Sequence, residues 1–396
     1  MDKEQRALLL LIKSAITGEK VSLIDEVDFK KVFSMAEINN INSLIFHGAH
    51  ISELNIDKSI LEKSFSLTCK EMVVNETQIY SFNEIVSKFE ENDIDYIPLK
   101  GIKLKNIYPK SEMRAMSDID ILIKVNQYET ITKIMSELGY TPVIESDHEL
   151  IWKKKAVLIE LHKRLIPSYN KDYYEYFGEG WRLAVKCKDK KGENYLKKED
   201  ELIFLFTHLC KHYRDSGIGI KHLLDIYVYR LKNQDLNEEY IKDEMIKLKI
   251  YEFYQNVLNT LSVWFYGANG DEKTEYITDV IFNGGAFDRE RAQVLSSALK
   301  GVKGGKTVKQ LKREKFKTAI FTPYKVMCDF YPFLRKCKIL LPIMWVYHLF
   351  RRLFTKGKLK HYNKQLSDMK EKDVELYQKS LNFVGLDYNF NQDTEK

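Results

Sequence analysis

The sequence predicts an α+β fold in which a small mixed sheet, residues 91–198, is flanked by helical regions at 1–90, 199–299 and 300–396. Three observations carry this expectation. Residues 76–91 and 199–282 place apolar side chains at the three- and four-residue spacing of helices buried on one face. Residues 118–123 and 156–162 alternate apolar with polar side chains, as half-buried strands do. A helical stretch lies between those strands, which makes a small α/β unit. At 396 residues the chain is too long for one compact core and predicts two or three domains.

Residues 1–16, MDKEQRALLLLIKSAI, read as an amphipathic helix, since the apolar run is short and no small-residue cleavage site follows. Residues 42–50 carry a similar short pattern. Within 76–91, Ile79, Phe82, Ile85, Val86 and Phe89 define the buried face. The character changes at Asn92: residues 95–99 are extended and end at Lys100-Gly101, 102–108 suit a short helix, and 109–116 a loop. Residues 118–123 become wholly apolar after Asp120, as an inner strand would. Asn126 is placed to cap a helix, with Glu129 completing a capping box. Ile131, Ile134, Met135 and Leu138 form its stripe and Gly139 ends it. Strands follow at 149–152 and 156–162, joined by a turn at Lys153-Lys154-Lys155. Helices are predicted at 199–213, 220–232, 237–267 and 272–282, with glycine punctuation at 284–285 and 301–305. A basic helical tail fills 306–365, interrupted near Pro323, Pro332 and Pro342.

The net charge of +6 is unevenly spread: residues 300–364 carry 18 Lys/Arg against Glu314 and Asp329, leaving about −10 elsewhere. That segment predicts an anionic partner, RNA or a membrane surface, with a solvated basic face as the plain alternative. The five cysteines are scattered with no CxxC pair, which excludes a disulfide framework and a zinc-ribbon signature. No apolar stretch reaches the ~20 residues needed to span a bilayer. These features predict a cytoplasmic, bacterial-type protein, with a peripheral place on a membrane as the variant.

The chemistry concentrates in Ser117-Asp118-Ile119-Asp120. Side chains alternate along a strand, so Asp118 and Asp120 point the same way. Two adjacent carboxylates repel, and a hard cation such as magnesium relieves that repulsion alongside substrate phosphates. Glu160, in Val157-Leu158-Ile159-Glu160-Leu161-His162, is the candidate third carboxylate. The set predicts a two-magnesium site for in-line attack on an α-phosphate, with Glu160 also as proton acceptor. Lys100, Gly101, Arg114 and Ser117 are placed to meet nucleotide phosphates: Gly101 by its amide at a helix start, Arg114 bidentately. Each part alone has a bland reading: a strand-end DxD, a strand Glu paired with Lys153 or Arg164, a turn at Lys100-Gly101.

Together these residues resemble the uncharacterised nucleotidyltransferase family of the DNA polymerase beta-like superfamily. The resemblance rests on Leu99-Lys100-Gly101, Tyr108-Pro109, Arg114, Ser117-Asp118-Ile119-Asp120 and Glu160-Leu161-His162. It is specific over residues 95–162 and extends through His208, His212 and the HLLDIY of 222–227 into Tyr331-Pro332 and Leu341-Pro342, so that it touches most of the chain. It implies transfer of a nucleotide from a nucleoside triphosphate to an acceptor the sequence does not name. The alternatives are a non-catalytic nucleotide- or partner-binding protein that keeps the fold, or an RNA-binding accessory protein using residues 300–364. Against degeneration, all three carboxylates, Lys100 and Arg114 are present.

His208 and His212 lie four apart on one helix face and are expected, with His162 and Asp225, to line an acceptor cleft between the α/β unit and the helical region. No third ligand follows them at a motif spacing. The apolar run 339–350, flanked by Arg335-Lys336 and Arg351-Arg352, predicts a buried helix packed on the helical region, with a membrane-interface helix as the alternative. The aromatics of 173–177 are expected in the core rather than stacked on bases.

Overall fold

The computed structural model describes residues 1–23, 26–146, 148–168, 170–215, 218–283, 331–354 and 371–386, with single positions between 313 and 328. The glycine punctuation at 284–285 and 301–305, and most of the basic segment 300–364, lie outside the described residues.

The first 91 residues are helical, as the spacing predicts: α1 (Lys3–Thr17), α2 (Phe29–Ile38), α3 (Asn42–Ile51) and α4 (Lys58–Glu91). Asp2 caps α1 through a capping box with Gln5. Phe82, Ile85, Val86 and Phe89 are buried along the last turns of α4, and Ile79 is partly buried beside them. α1 and α3 cross closely enough that a Cβ on Gly48 would meet the Leu11 carbonyl oxygen at 2.0 Å, so only glycine fits there.

The sheet follows: β1 (Tyr96–Pro98), α5 (Lys100–Leu104), β2 (Ile119–Ile123), α6 (Tyr128–Glu137), β3 (Thr141–Glu145), β4 (Glu149–Lys154) and β5 (Val157–His162). The order is β1-β2-β5-β4-β3, with β2 and β5 parallel and the other pairings antiparallel. The mixed α+β class is therefore as the sequence predicts. β2 is an inner strand and wholly buried. One sheet face, with Ile119, Ile121, Ile159 and Leu161, packs on α4 and on Ile131, Ile134 and Met135 of α6. The opposite face carries Asp120, Leu122, Glu160 and His162, with Asp120 opposite Glu160 in the parallel register.

Three local expectations change. The capping box at Asn126 does not form, because a 3₁₀ turn (Val125–Gln127) precedes α6. The Gln127 side chain instead bonds the Asp95 amide and the Asp93 carbonyl. The edge strand β3, exposed along its length, had no alternating pattern to reveal it. The single helix expected over 237–267 is two, broken where Lys249 takes a φ of +56°.

Helices α7 (Lys171–Phe177), α8 (Lys198–Asp215), α9 (Ile220–Lys232), α10 (Glu238–Lys247), α11 (Tyr251–Tyr266) and α12 (Glu272–Asn283) cover the second face, with a hairpin of β6 (Ala184–Lys186) and β7 (Asn194–Leu196) before α8. Tyr173 and Phe177 are core residues, as expected. One buried cluster joins α1–α3 to α8–α12 and also takes in Leu122, Leu165 and the late helix α14 (Glu371–Phe383). The apolar run forms α13 (Leu341–Phe354). Among the described residues it packs on a small cluster of its own, Met327, Cys328, Tyr331 and Leu334, rather than on the helical region. Its other side is exposed: Ile343 is 64% exposed and Val346 56%. Among the described residues no helix is long and apolar enough to cross a membrane.

Replacing Gly48 with alanine should destabilise the protein by about 3 kcal/mol or more, since the added methyl has a backbone carbonyl, not a flexible side chain, in its way. Urea unfolding measures this; a loss under about 1 kcal/mol would show that α1 and α3 slide apart at little cost.

Candidate active site

Asp120, the second residue of β2, stands on the sheet's polar face, almost closed to water. Its Oδ1 receives two hydrogen bonds, from Lys100 Nζ at 2.8 Å and from His162 Nε2 at 2.7 Å. A carboxylate only accepts, so Nε2 carries the hydrogen. Burial alone would raise the Asp120 carboxyl; the Lys100 ammonium and His162 outweigh it and hold the carboxyl well below the usual range. Burial likewise works against the Lys100 charge, and Asp120, Glu160 and Asp118 overcome it, raising Lys100 above its ordinary value.

Lys100 reaches Asp120 through a left-handed residue: its φ is +46°, a conformation costing a non-glycine residue about 1–3 kcal/mol. That turn takes the chain from β1 directly into α5, while the Leu99 amide bonds the Asp120 carbonyl at 3.0 Å. Gly101 follows in the helix, where a Cβ would touch Met116 at 3.0 Å.

A cavity of about 370 Å³ opens on these groups. Its sheet wall holds Lys100, Gly101, Ser117, Asp118, Asp120, Glu149, Glu160 and His162; its helical wall holds His208 and His212 of α8 and Lys221, His222 and Asp225 of α9. Arg114 lines it too, so every candidate site residue named from the sequence borders one space. Ser117 is exposed and donates to Asp118 Oδ1 at 3.0 Å. Burial, then the carboxylates of Asp118, Asp120 and Glu149, push the Glu160 carboxyl up to about 8.

Arg114 differs from its expected part. Its Nε and Nη2 form a bidentate pair with Asp225 at 2.7 and 2.8 Å, and Nη1 bonds the Ala115 carbonyl. A guanidinium only 9% exposed requires a carboxylate, so its fork is occupied within the protein rather than held open for phosphate. Tyr108 OH adds a bond to the same Asp225 Oδ1 at 2.9 Å. Asp225 thereby ties α9 to the loop before β2.

Burial keeps three of the cavity's histidines, His208, His222 and His148, neutral near pH 7. Burial, with nearby Lys100, holds His208 well below its ordinary value. Burial lowers His222 to about 4 and His148 to about 2. His208 and His212 meet through their Nε2 atoms at 3.1 Å.

Sequence reading passed over Lys221, Lys211, His222, His148 and Glu149. Lys221 is placed by its bond to the Ala115 carbonyl at 3.3 Å, two residues before Ser117, a contact no sequence spacing announces. Glu149 did leave a signal: a two-residue turn at Lys155-Ala156 pairs Glu149 directly with His162 in the antiparallel register.

Among known proteins, residues 25–266 match the family described as uncharacterised nucleotidyltransferase. No curated protein matches the chain. Two solved structures show slight similarity. One is the solution structure of the antibiotic-resistance factor ANT(2'')-Ia, 13% identical, covering 49% of this chain and 100% of that one at a TM-score of 0.33. The other is the crystal structure of ANT(2")-Ia with adenylyl-2"-tobramycin, 11% identical, covering 43% and 97% at a TM-score of 0.32. Likeness this slight transfers neither substrate nor mechanism.

Asp225→Asn should cost about 3–5 kcal/mol in urea unfolding, because it leaves the Arg114 charge buried without a counter-charge. A cost below about 1 kcal/mol would mean that the pair does not tie α9 to the sheet.

Proposed function

The chain belongs to the uncharacterised nucleotidyltransferase family, and from that premise we propose that it moves a nucleoside monophosphate group from a nucleoside triphosphate to an acceptor hydroxyl or phosphate, with magnesium. The observation that carries the reading is the convergence of Asp118, Asp120 and Glu160 on one cavity wall, Asp120 facing Glu160 across two parallel strands.

The donor set fits a hard divalent cation. It is all oxygen, and burial together with the neighbouring carboxylates of Asp118, Asp120 and Glu149 pushes the Glu160 carboxyl up to about 8, a charge a bound cation would offset. Asp118, Asp120 and Glu160 would hold the ions. When bound there, magnesium supplies Lewis-acid neutralisation at the acceptor oxygen and at the leaving pyrophosphate.

The protein's own groups do the rest. The acceptor oxygen attacks the α-phosphorus, the bond from that phosphorus to the bridging oxygen breaks, and pyrophosphate leaves. Glu160, once ionised, takes the acceptor's proton. Lys221 and Ser117 stand beside Asp118 to bind phosphate oxygens. Lys100 neutralises Asp120 and holds its orientation. The imidazoles of His208, His212 and His222 offer hydrogen bonds to an uncharged acceptor on the opposite wall.

Titrating each nucleoside triphosphate calorimetrically with magnesium tests this. We expect binding that requires magnesium and weakens by about 100-fold or more in Asp118→Asn/Asp120→Asn, the scale of losing a preorganised charge contact. Equal binding by wild type and variant would place the nucleotide elsewhere and end the reading.

Glu160 sets the pH dependence. It is protonated in the ion-free site up to about pH 8, while a cation needs the carboxylate, so each binding event below that pH releases a proton. Magnesium affinity should therefore rise with pH through about 8 and then level off. Calorimetry at pH 7 in two buffers of different ionisation enthalpy reads the proton release directly. Glu160→Gln should abolish it; release that persists in Glu160→Gln would assign it to another group.

A further inference from the structure

Beyond the three carboxylates, the cavity holds a second group of ligand atoms of different chemistry. We infer that His148, Glu149 and His162 form a site for a borderline transition cation of the zinc or manganese class, distinct from the magnesium carboxylates and opening on the same cavity.

The geometry is set by the sheet. Glu149 opens β4 and sits directly across from His162 at the end of β5. His148 lies in the bend just before β4, fixed by its amide's bond to Ser146 Oγ and by the Lys163 amide's bond to its carbonyl. His148 Nε2 lies 3.8 Å from Glu149 Oε2, and His162 Nδ1 lies 3.9 Å from the same oxygen. The three ligand atoms fall within 4.8 Å of one another. Ligand atoms on a tetrahedral zinc are about 3.3 Å apart. Closing the two gaps at Glu149 takes about half an ångström each and the gap between the imidazoles at most about 1.5 Å, a movement open to His148 and Glu149 because both are partly exposed.

A second observation points to a ligand independently. His162 is 2% exposed, and its Nδ1 is a buried nitrogen with no hydrogen-bond partner. Because Nε2 donates to Asp120, Nδ1 is the nitrogen left for a metal, and it lies on the side of Glu149, 3.9 Å from Oε2. A buried unpartnered nitrogen costs free energy unless something fills the place beside it. Carboxylate behind one ring nitrogen and metal at the other is the arrangement that fixes a ligating histidine's tautomer and raises its basicity. The alternative set of Asp120, Glu160 and His162 would use Nε2, the nitrogen already committed as donor. Two imidazoles and one carboxylate suit zinc or manganese over magnesium, and the three protein ligands leave a position open. That position faces the cavity, since all three residues line it.

Cobalt(II) alone is the probe, titrated into untagged, chelator-stripped full-length protein. The expected result is one equivalent bound with visible ligand-field bands, displaced by zinc. His148→Ala and Glu149→Gln, both at partly exposed positions, should each weaken binding at least tenfold with unchanged near-ultraviolet circular dichroism. Asp118→Asn should keep the bands, which separates this site from the carboxylate site and makes the outcome independent of nucleotide binding. Absence of the bands, bands unaltered in both His148→Ala and Glu149→Gln, or bands lost in Asp118→Asn would each overturn the inference.

Discussion

Asp120 holds a negative charge in a place almost closed to water, and an ion so placed has to be paired and hydrogen-bonded. Lys100 and His162 supply both. The need explains features that otherwise look unrelated. The left-handed turn at Lys100 brings an ammonium from β1 back over β2. The parallel pairing of β2 with β5 brings His162 alongside. Inner-strand burial leaves the carboxylate little freedom to rotate away from the cavity.

A second buried pair sets the opposite wall. Arg114 and Asp225 are 111 positions apart and meet bidentately, and Tyr108 closes the same oxygen from a third direction. Since α9 also carries Lys221 and His222, this pair fixes where those side chains stand relative to Asp118. The sheet and the helical wall are thus joined by charge at the cavity and by one apolar cluster beneath it. Arg114, expected to grip phosphate, has its fork on Asp225, and Lys221 lines the same cavity as Ser117 and Asp118, bonded to the Ala115 carbonyl.

Much of the site was legible in the sequence because strand geometry is local. A two-residue period puts Asp118 with Asp120, and Glu160 with His162, wherever the strand lies. The helical stripes of α4 and α6 were readable for the same reason, and both bury the residues that the spacing marks. Where local rules failed, a distant partner had intervened. Gln127 was drawn to residues 93–95, and the cap at Asn126 did not form. The run in α13 is apolar all round, so its composition did not say which side would be covered.

By itself the sequence determined the strand-borne carboxylates and the family, from motifs within some 70 consecutive residues, and the α+β class, from apolar periodicity along residues 76–282. The tertiary structure alone decided that Arg114 belongs to Asp225, that Lys221 reaches the loop before Ser117, and that the Nδ1 of His162 faces His148 and Glu149. Those contacts join segments up to 111 positions apart, and which ion pairs with which there is settled by the shared burial of their charges, a property of the folded interior that no stretch of chain possesses alone.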